Sequence, residues 1–138
     1  MIRKHVRPAV LTAIAALGLA LGAASPAHAA GEIDYSEPRA YSSHPKDCVS
    51  VDRYGACVQP YGDLIWIKDG IKDGYSPRVY WWDLDGDRSG LCTNQQGVDA
   101  GWTACNKNFP EGHEIEWEFH WRNFDGTWER SALQYTTV

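Results

Sequence analysis

The clearest pattern along the chain is a strict alternation of apolar and polar residues between positions 115 and 122. The apolar members are Ile115, Trp117, Phe119 and Trp121, and the residues between them are Glu116, Glu118, His120 and Arg122. A period of two is typical of a β-strand with one face against a core and the other in water. The sequence therefore predicts a half-buried antiparallel strand here.

Shorter apolar runs, separated by turn residues, predict further strands. Residues 64–67 form one run after Gly62-Asp63, and residues 78–82 form another, rich in aromatic side chains, that ends at Asp85-Gly86. No segment has a 3.6-residue period over ten or more positions, so no helix is predicted. Short strands with Gly and Asp turns indicate an all-β protein, and we expect a small antiparallel β-sandwich or flattened barrel.

The turn near Asp125-Gly126 allows the register of the last hairpin to be predicted. A two-residue loop would place Leu133 and Tyr135 on the charged face, whereas the three-residue loop 124–126 reverses that parity. The longer loop sets Trp117 opposite Leu133, Ile115 opposite Tyr135 and Arg122 opposite Trp128. Burial therefore favours the three-residue loop, with Gly126 in the left-handed conformation of a bulged turn.

The first 29 residues have the features of a secretory signal peptide. A basic start is followed by an almost wholly apolar stretch at 9–24, and Ala27-His28-Ala29 provides small residues for cleavage. Residues 30–46 hold several Pro, Ser and Gly residues without an apolar period, which predicts a flexible leader. Residues 47–138 are then a single β domain. We expect a secreted, extracellular protein with no membrane attachment after cleavage.

Charge narrows the possible partners. The whole chain has a formal charge of −5. Three of its thirteen basic residues lie in the predicted signal peptide, so ten remain against eighteen acidic residues and the charge becomes −8. An acidic protein of this kind is not expected to bind nucleic acid or anionic membranes, both of which need a basic surface.

Four cysteines in an exported chain predict two disulfides. We expect the pairs Cys48–Cys57 and Cys92–Cys105, because each closes a short segment that contains a glycine turn. Zinc is the competing interpretation, but the spacings lack the close pairs that zinc modules use.

One acidic segment matches the start of a calcium-binding loop. Asp83, Asp85 and Asp87 stand at alternate positions, where carboxylates can converge on one ion. Later positions do not match, since Arg88 and Asn94 replace the glycine and the bidentate glutamate. The alternatives are a solvated Asp-Gly turn without any cofactor and a calcium site formed by the three aspartates.

Another cluster suggests acid–base chemistry. With the predicted register, His120 lies opposite Arg130, and Glu118 is two residues away on the same face. A carboxylate, an imidazole and a guanidinium can cleave RNA, although small microbial ribonucleases also pack a helix on their sheet. The competing interpretation is cross-strand pairing on a solvated face. No catalytic residue is therefore assigned.

Aromatic residues are unusually abundant: seven Trp, seven Tyr and three Phe all follow residue 30. Trp81 and Trp82 are adjacent, so one of them must point away from the core. Exposed rings beside carboxylates and amides are typical of sugar-binding surfaces, and they are equally typical of protein-binding hot spots. The candidate ligand-binding residues are Trp81, Trp82, Trp102, Phe124 and Trp128.

Several short motifs between residues 60 and 126 occur together. They are Gly62-Asp63, Asp73-Gly74-Tyr75-Ser76, Val79-Tyr80-Trp81, Gly90-Leu91-Cys92-Thr93-Asn94, Gly97, Trp102, Cys105-Asn106, Pro110-Glu111-Gly112 and Ile115. In these residues the chain resembles a group of small secreted two-disulfide β proteins of actinomycetes. The resemblance implies export and one disulfide-bonded β domain. The group is of unknown function, so it implies no activity and no site residues.

Three functions remain open from the sequence. The first is a non-enzymatic extracellular binding protein whose ligand is a polysaccharide or another secreted protein. The second is an inhibitor of a secreted hydrolase such as an amylase or a protease, with a loop whose ends a disulfide would hold. Small bacterial inhibitors of this kind share the chain's size, disulfide number and β fold. The third is a ribonuclease-like hydrolase that uses Glu118, His120 and Arg130.

Overall fold

A computed structural model describes residues 31–138, and the predicted signal peptide lies outside the described residues. The strands are β1 Glu32–Tyr35, β2 Glu37–Pro38, β3 Asp47–Val51, β4 Tyr54–Gln59, β5 Leu64–Lys68, β6 Arg78–Asp83, β7 Ser89–Thr93, β8 Trp102–Asn106, β9 Glu114–Arg122, β10 Trp128–Arg130 and β11 Gln134–Thr137. A single 3₁₀ turn, Val98–Ala100, is the only helical element in residues 31–138. The all-β prediction is confirmed, and this part of the chain contains no helix that could cross a membrane.

The strands form two sheets packed as a sandwich. The first sheet has the order β1-β7-β6-β9-β10, with β11 pairing to the other end of β9, and the second has the order β2-β8-β5-β4-β3. All pairings are antiparallel except that of β1 with β7. The sequence predicts antiparallel sheets, so the parallel edge strand is an addition that the structure reveals.

The core lies between the two sheets and follows the alternation of their strands. Trp81 from β6 and the four apolar residues of β9 meet Ile65 and Ile67 from β5 and the inward side chains of β4. Trp81, Trp117 and Phe119 have no exposed surface. The apolar positions of 115–121 therefore face the core, as the sequence predicts.

Both predicted disulfides are present. Cys48–Cys57 joins directly opposed residues of β3 and β4 within one sheet. Cys92–Cys105 joins β7 to β8 and therefore connects the two sheets through the core. The first bond closes a hairpin, whereas the second holds the two layers of the sandwich together.

The predicted register of the last hairpin is confirmed near the turn and wrong beyond it. Arg122 pairs with Trp128, three residues separate Asn123 from Thr127, and Gly126 has φ 86°. At residues 131–133 the returning chain gains one residue, so Trp117 pairs with Gln134 instead of Leu133, and Ile115 with Thr136 instead of Tyr135.

Polar contacts explain this slip. Ser131 donates its backbone N–H to the carbonyl of Phe119, and its hydroxyl accepts the Phe119 N–H, which interrupts the ladder. The slip turns Thr136 inward, where its hydroxyl accepts a hydrogen bond from Nε1 of Trp117 at 3.1 Å and donates one to Asp47 at 2.8 Å. The hydrogen bond to the buried indole N–H stabilises the fold more than burial of Leu133 and Tyr135 would, and these two side chains stay exposed.

The segment predicted as a flexible leader differs in the structure. Within it, β1 pairs with β7 in the first sheet and β2 with β8 in the second. The inward side of β1 carries Glu32 and Asp34 instead of apolar residues, and both carboxylates contact the Nζ of Lys107. The Lys107 side chain is only 2% exposed, so its charge needs these partners. A strand that is held in the sheet by ion pairs between side chains cannot be recognised from the pattern of apolar residues.

The carboxylate of Glu32 makes the stability of the fold depend on pH. This carboxylate also accepts two hydrogen bonds from Arg88, at 2.8 and 3.2 Å. The Arg88 hydrogen bonds, with those of Lys107, lower the pKa of Glu32 to about 2. A lowered folded-state pKa stabilises the fold above the unfolded value of 4.5, and this stabilisation is lost as the pH falls from there towards 2.

We therefore expect the loss of stability on acidification to be larger in the native protein than in Glu32→Gln. The measurement is urea denaturation between pH 6 and pH 2.5, followed by circular dichroism. Glu37→Gln is the matched control, because Glu37 is an exposed carboxylate, and this variant should lose as much stability on acidification as the native protein does. Parallel pH curves for the native protein and Glu32→Gln would contradict the assignment.

Candidate functional site

The two outer faces of the sandwich differ in how they are covered. On the second sheet, Trp66 points outward but is fully buried, because the ring of Tyr41 lies over it at a centroid distance of 5.2 Å. Tyr41 also stacks on Trp102 at 4.5 Å, and burial raises the pKa of its hydroxyl. The chain between β2 and β3 thus closes this face.

The outer face of the first sheet has no such cover within residues 31–138. We call it the open face, and define it by the outward side chains of its strands: Ile33, Tyr35, Leu91, Arg78, Tyr80, Trp82, Glu116, Glu118, His120, Arg122, Trp128 and Arg130. Among them Ile33, Tyr35, Trp82 and Trp128 are exposed. Exposed apolar and aromatic side chains that are grouped on one face are common where a protein contacts another molecule.

A ridge of rings follows β6 across the middle of the open face. Tyr80 and Trp82 lie nearly parallel, with centroids 6.5 Å apart, and the guanidinium of Arg78 lies 4.2 Å from the centroid of the Trp128 ring. On one side of the ridge, the apolar side chains of Ile33 and Leu91 line two shallow depressions of about 310 and 390 Å³. Both depressions reach the ridge, the first at Tyr80 and Trp82 and the second at Arg78 and Trp128.

The other side of the ridge is charged. Nε2 of His120 and Oε1 of Glu118 share a hydrogen bond of 2.6 Å, and the ring centroids of His120 and Tyr80 are 4.7 Å apart. Arg130 is 3.8 Å from the second oxygen of Glu118. The structure therefore brings together all three residues of the predicted acid–base cluster, and it adds Tyr80 and Arg78 from the neighbouring strand.

The five predicted ligand-binding aromatics do not form one site. Trp82 and Trp128 lie on the open face, and Phe124 is 78% exposed at the tip of the β9–β10 turn. Trp102 lies on the opposite sheet beneath Tyr41. Trp81 is completely buried, so its assignment to a binding surface is wrong. Alternation required only one of Trp81 and Trp82 to point outward, and the structure shows that it is Trp82.

The cation over the Trp128 ring does not come from the residue that stands opposite it. Arg122 stands opposite Trp128 in the register, but its guanidinium lies over Tyr75 at 3.5 Å and donates to the carbonyl of Gly126. The guanidinium of Arg78, from β6, lies over the Trp128 ring instead. Sequence reasoning missed Arg78 because the pairing of β6 with β9 spans about forty residues and leaves no local signal.

The aspartates of the predicted calcium loop are held mainly by protein donors. Nδ1 of His113 is 2.9 Å from both carboxylate oxygens of Asp83, and the backbone N–H of Asp85 donates to one of them at 3.1 Å. Asp85 accepts the backbone N–H of Glu114 at 2.8 Å, and Asp87 is exposed. Among residues 31–138, no group of three His, Cys, Asp or Glu residues is arranged to hold a metal ion. Calcium binding stays a prediction.

Comparison with known proteins adds no further identification. No protein-family model matches the chain, and it has no match among curated proteins or solved structures. The resemblance to the actinomycete group is therefore left as a prediction. What the open face does has to be inferred from its own residues.

Proposed function

We propose that this protein is a non-enzymatic extracellular binding protein whose ligand is a polysaccharide lying across the open face. The observation that carries the proposal is the unequal covering of the two sheets. Tyr41 buries the outward tryptophan of one sheet, whereas Trp82 and Trp128 on the other stay exposed. Exposed rings on a folded, disulfide-bonded domain are most simply explained by a ligand that covers them.

The chemistry of the open face favours a sugar polymer. The flat rings of Tyr80 and Trp82 can cover the apolar faces of sugar rings. Beside this ridge, strand β9 carries polar side chains that can form hydrogen bonds with sugar hydroxyls, namely Glu116, Glu118 and His120. The two adjoining depressions extend along the ridge, as an elongated chain requires. A secreted protein partner is the alternative ligand, since Trp and Arg are also common in hot spots.

The hydrolase alternative has less support. Acid–base cleavage of a phosphodiester needs the base and the acid on opposite sides of the reacting group. Glu118 and His120 are instead hydrogen-bonded to each other, which leaves no room between them. The inhibitor alternative needs a rigid exposed loop held by Cys48–Cys57 or Cys92–Cys105. The first bond closes a tight hairpin, and the second joins strands of the two different sheets. The binding function is therefore the one we put first.

We expect the exported protein, residues 30–138, to be retained on at least one of insoluble cellulose, chitin, xylan and starch. Trp82→Ala should weaken retention about tenfold, because loss of a stacked ring removes roughly 1–2 kcal/mol of contact. The measurement is a depletion isotherm on each polymer, with and without calcium. A calcium requirement would support the Asp83–Asp87 site.

Tyr61→Ala is the matched control. Tyr61 is also an exposed aromatic, 69% accessible, but it follows β4 at an end of the second sheet. Its loss should leave retention unchanged. Absence of retention on these four polymers, together with absence of binding to an acidic polysaccharide such as glucuronoxylan, would reject the polysaccharide proposal and leave a protein partner. Equal weakening by the two variants would show that the open face is not the site.

A further inference from the structure

Arg78 is a guanidinium without a counter-charge in an acidic protein. Its Nε is buried and has no hydrogen-bond partner among residues 31–138. None of the ion pairs in this part of the chain includes it. By contrast, the buried or half-buried cations Lys107 and Arg88 are both paired with carboxylates. The Arg78 guanidinium lies over the Trp128 ring, at 4.2 Å from its centroid.

Arg78 also belongs to a row of nitrogen-rich side chains. It stands directly opposite His120 on β9, and His120 stands opposite Arg130 on β10. Adjacent strands are about 4.8 Å apart, so the row crosses the open face over roughly 10 Å. Glu118, in the next row, has its carboxylate in contact with His120 and Arg130. The Arg78 end of the row is left unneutralised.

We propose that the ligand is an acidic polysaccharide, and that Arg78 binds the carboxylate of a uronic-acid residue while the neighbouring sugar rings lie on Tyr80 and Trp82. This inference rests on the proposed function and deepens it. The two Nη atoms of a guanidinium that lies over a ring can together bind a planar, two-oxygen acceptor. The 390 Å³ depression, which Arg78 and Trp128 both line, provides the space for that group.

The charge of the whole protein decides which kind of acidic ligand fits. The exported chain has a charge of −8, so a uniformly charged polymer such as RNA would be repelled over most of the surface. One unneutralised arginine beside apolar rings suits isolated carboxylates on an otherwise neutral polymer. A xylan substituted with occasional glucuronic acid has this chemistry.

The test compares glucuronoxylan with the same polymer after its carboxylates have been reduced to alcohols. Binding is measured by isothermal titration calorimetry for the exported protein, Arg78→Gln and Arg39→Gln. We expect the native protein to bind the unmodified polymer about tenfold more tightly than the reduced one, as for loss of one charge-assisted interaction. Arg78→Gln should bind both polymers equally and with the lower affinity.

Arg39→Gln makes the same charge change at an exposed position beyond β2 and should behave as the native protein does. Equal affinity of the native protein for the two polymers would overturn the acidic-ligand inference while leaving the polysaccharide function standing. Lack of binding to both, together with failure on the neutral polymers above, would reject the function itself. Displacement of glucuronoxylan by RNA at equal charge concentration would also overturn the inference, since it would identify a phosphate polymer as the better ligand.

Discussion

Replacing Trp81 with alanine is expected to lower the free energy of unfolding by about 3–5 kcal/mol, the range for removing a fully buried aromatic side chain. Trp81 has no exposed surface, and its ring packs edge-on against Phe109 at 5.1 Å. Nζ of Lys107 lies 4.9 Å from the same ring, so the substitution also exposes a buried cation. Urea denaturation followed by circular dichroism measures the change without relying on tryptophan fluorescence.

Trp82→Ala is the matched control on the adjacent residue. Trp82 is 36% exposed and lies on the open face, so its loss should change stability by less than about 1 kcal/mol. Stability and binding should therefore separate: Trp81→Ala affects unfolding, and Trp82→Ala affects retention on polysaccharide. Similar destabilisation by the two variants would mean that the faces of β6 have been assigned wrongly.

Removal of the inter-sheet disulfide, by Cys92→Ala with Cys105→Ala, is expected to destabilise the protein by at least ~3 kcal/mol. The bond joins residues 13 apart, for which loss of the constraint on the unfolded chain alone accounts for roughly 3 kcal/mol. Both sulfur atoms belong to residues buried in the core, so their removal also leaves a void between the sheets. Thermal unfolding of the double variant gives the effect.

The Cys48→Ala, Cys57→Ala variant separates these two contributions. Its bond spans a sequence separation of 9, close to the other, so the effect on the unfolded chain is nearly the same. Cys48 is exposed, and this bond lies outside the main core. We therefore expect a smaller loss than for the inter-sheet pair. Equal losses would show that packing of the Cys92–Cys105 sulfurs between the sheets adds nothing.

The parts of the fold that were predictable are those where burial acts on neighbouring residues. The alternation at 115–122 predicted strand β9 and its inward face, because each side chain's direction follows from that of the one before it. The disulfides were predictable because each joins residues within 13 positions. The turn at 124–126 followed from the same parity and from the glycine that it requires.

The parts that were not predictable depend on contacts between distant residues. Strand β1 is held by Lys107, more than seventy residues away, through charges that have no period along the chain. The change of register after Ser131 depends on the hydrogen bond that Trp117 donates to Thr136. In the local sequence pattern Thr136 is only a polar residue in a strand, so the pattern does not indicate this bond. In both places a specific polar contact overrides the apolar pattern.

The candidate site was half predictable for the same reason. The sequence identified Trp82 and Trp128 as possible ligand contacts, and it placed His120 opposite Arg130 from the hairpin register alone. It could not place Arg78 beside Trp128, because that contact needs the pairing of β6 with β9. A candidate binding surface that spans five strands is visible only when the strand order is known.

The parallel strand β1 has a consequence for how the chain folds. Among the strands of residues 31–138 it is synthesised first, yet its partner β7 and the Lys107 side chain are synthesised roughly sixty to seventy-five residues later. Until then its backbone groups are unpaired, which in an apolar strand would invite association with other chains. Glu32, Asp34 and the nearby Glu37 give the waiting segment a negative charge that opposes such association. The carboxylates that bind Lys107 in the folded protein thus also oppose association of the unpaired segment with other chains before folding is complete.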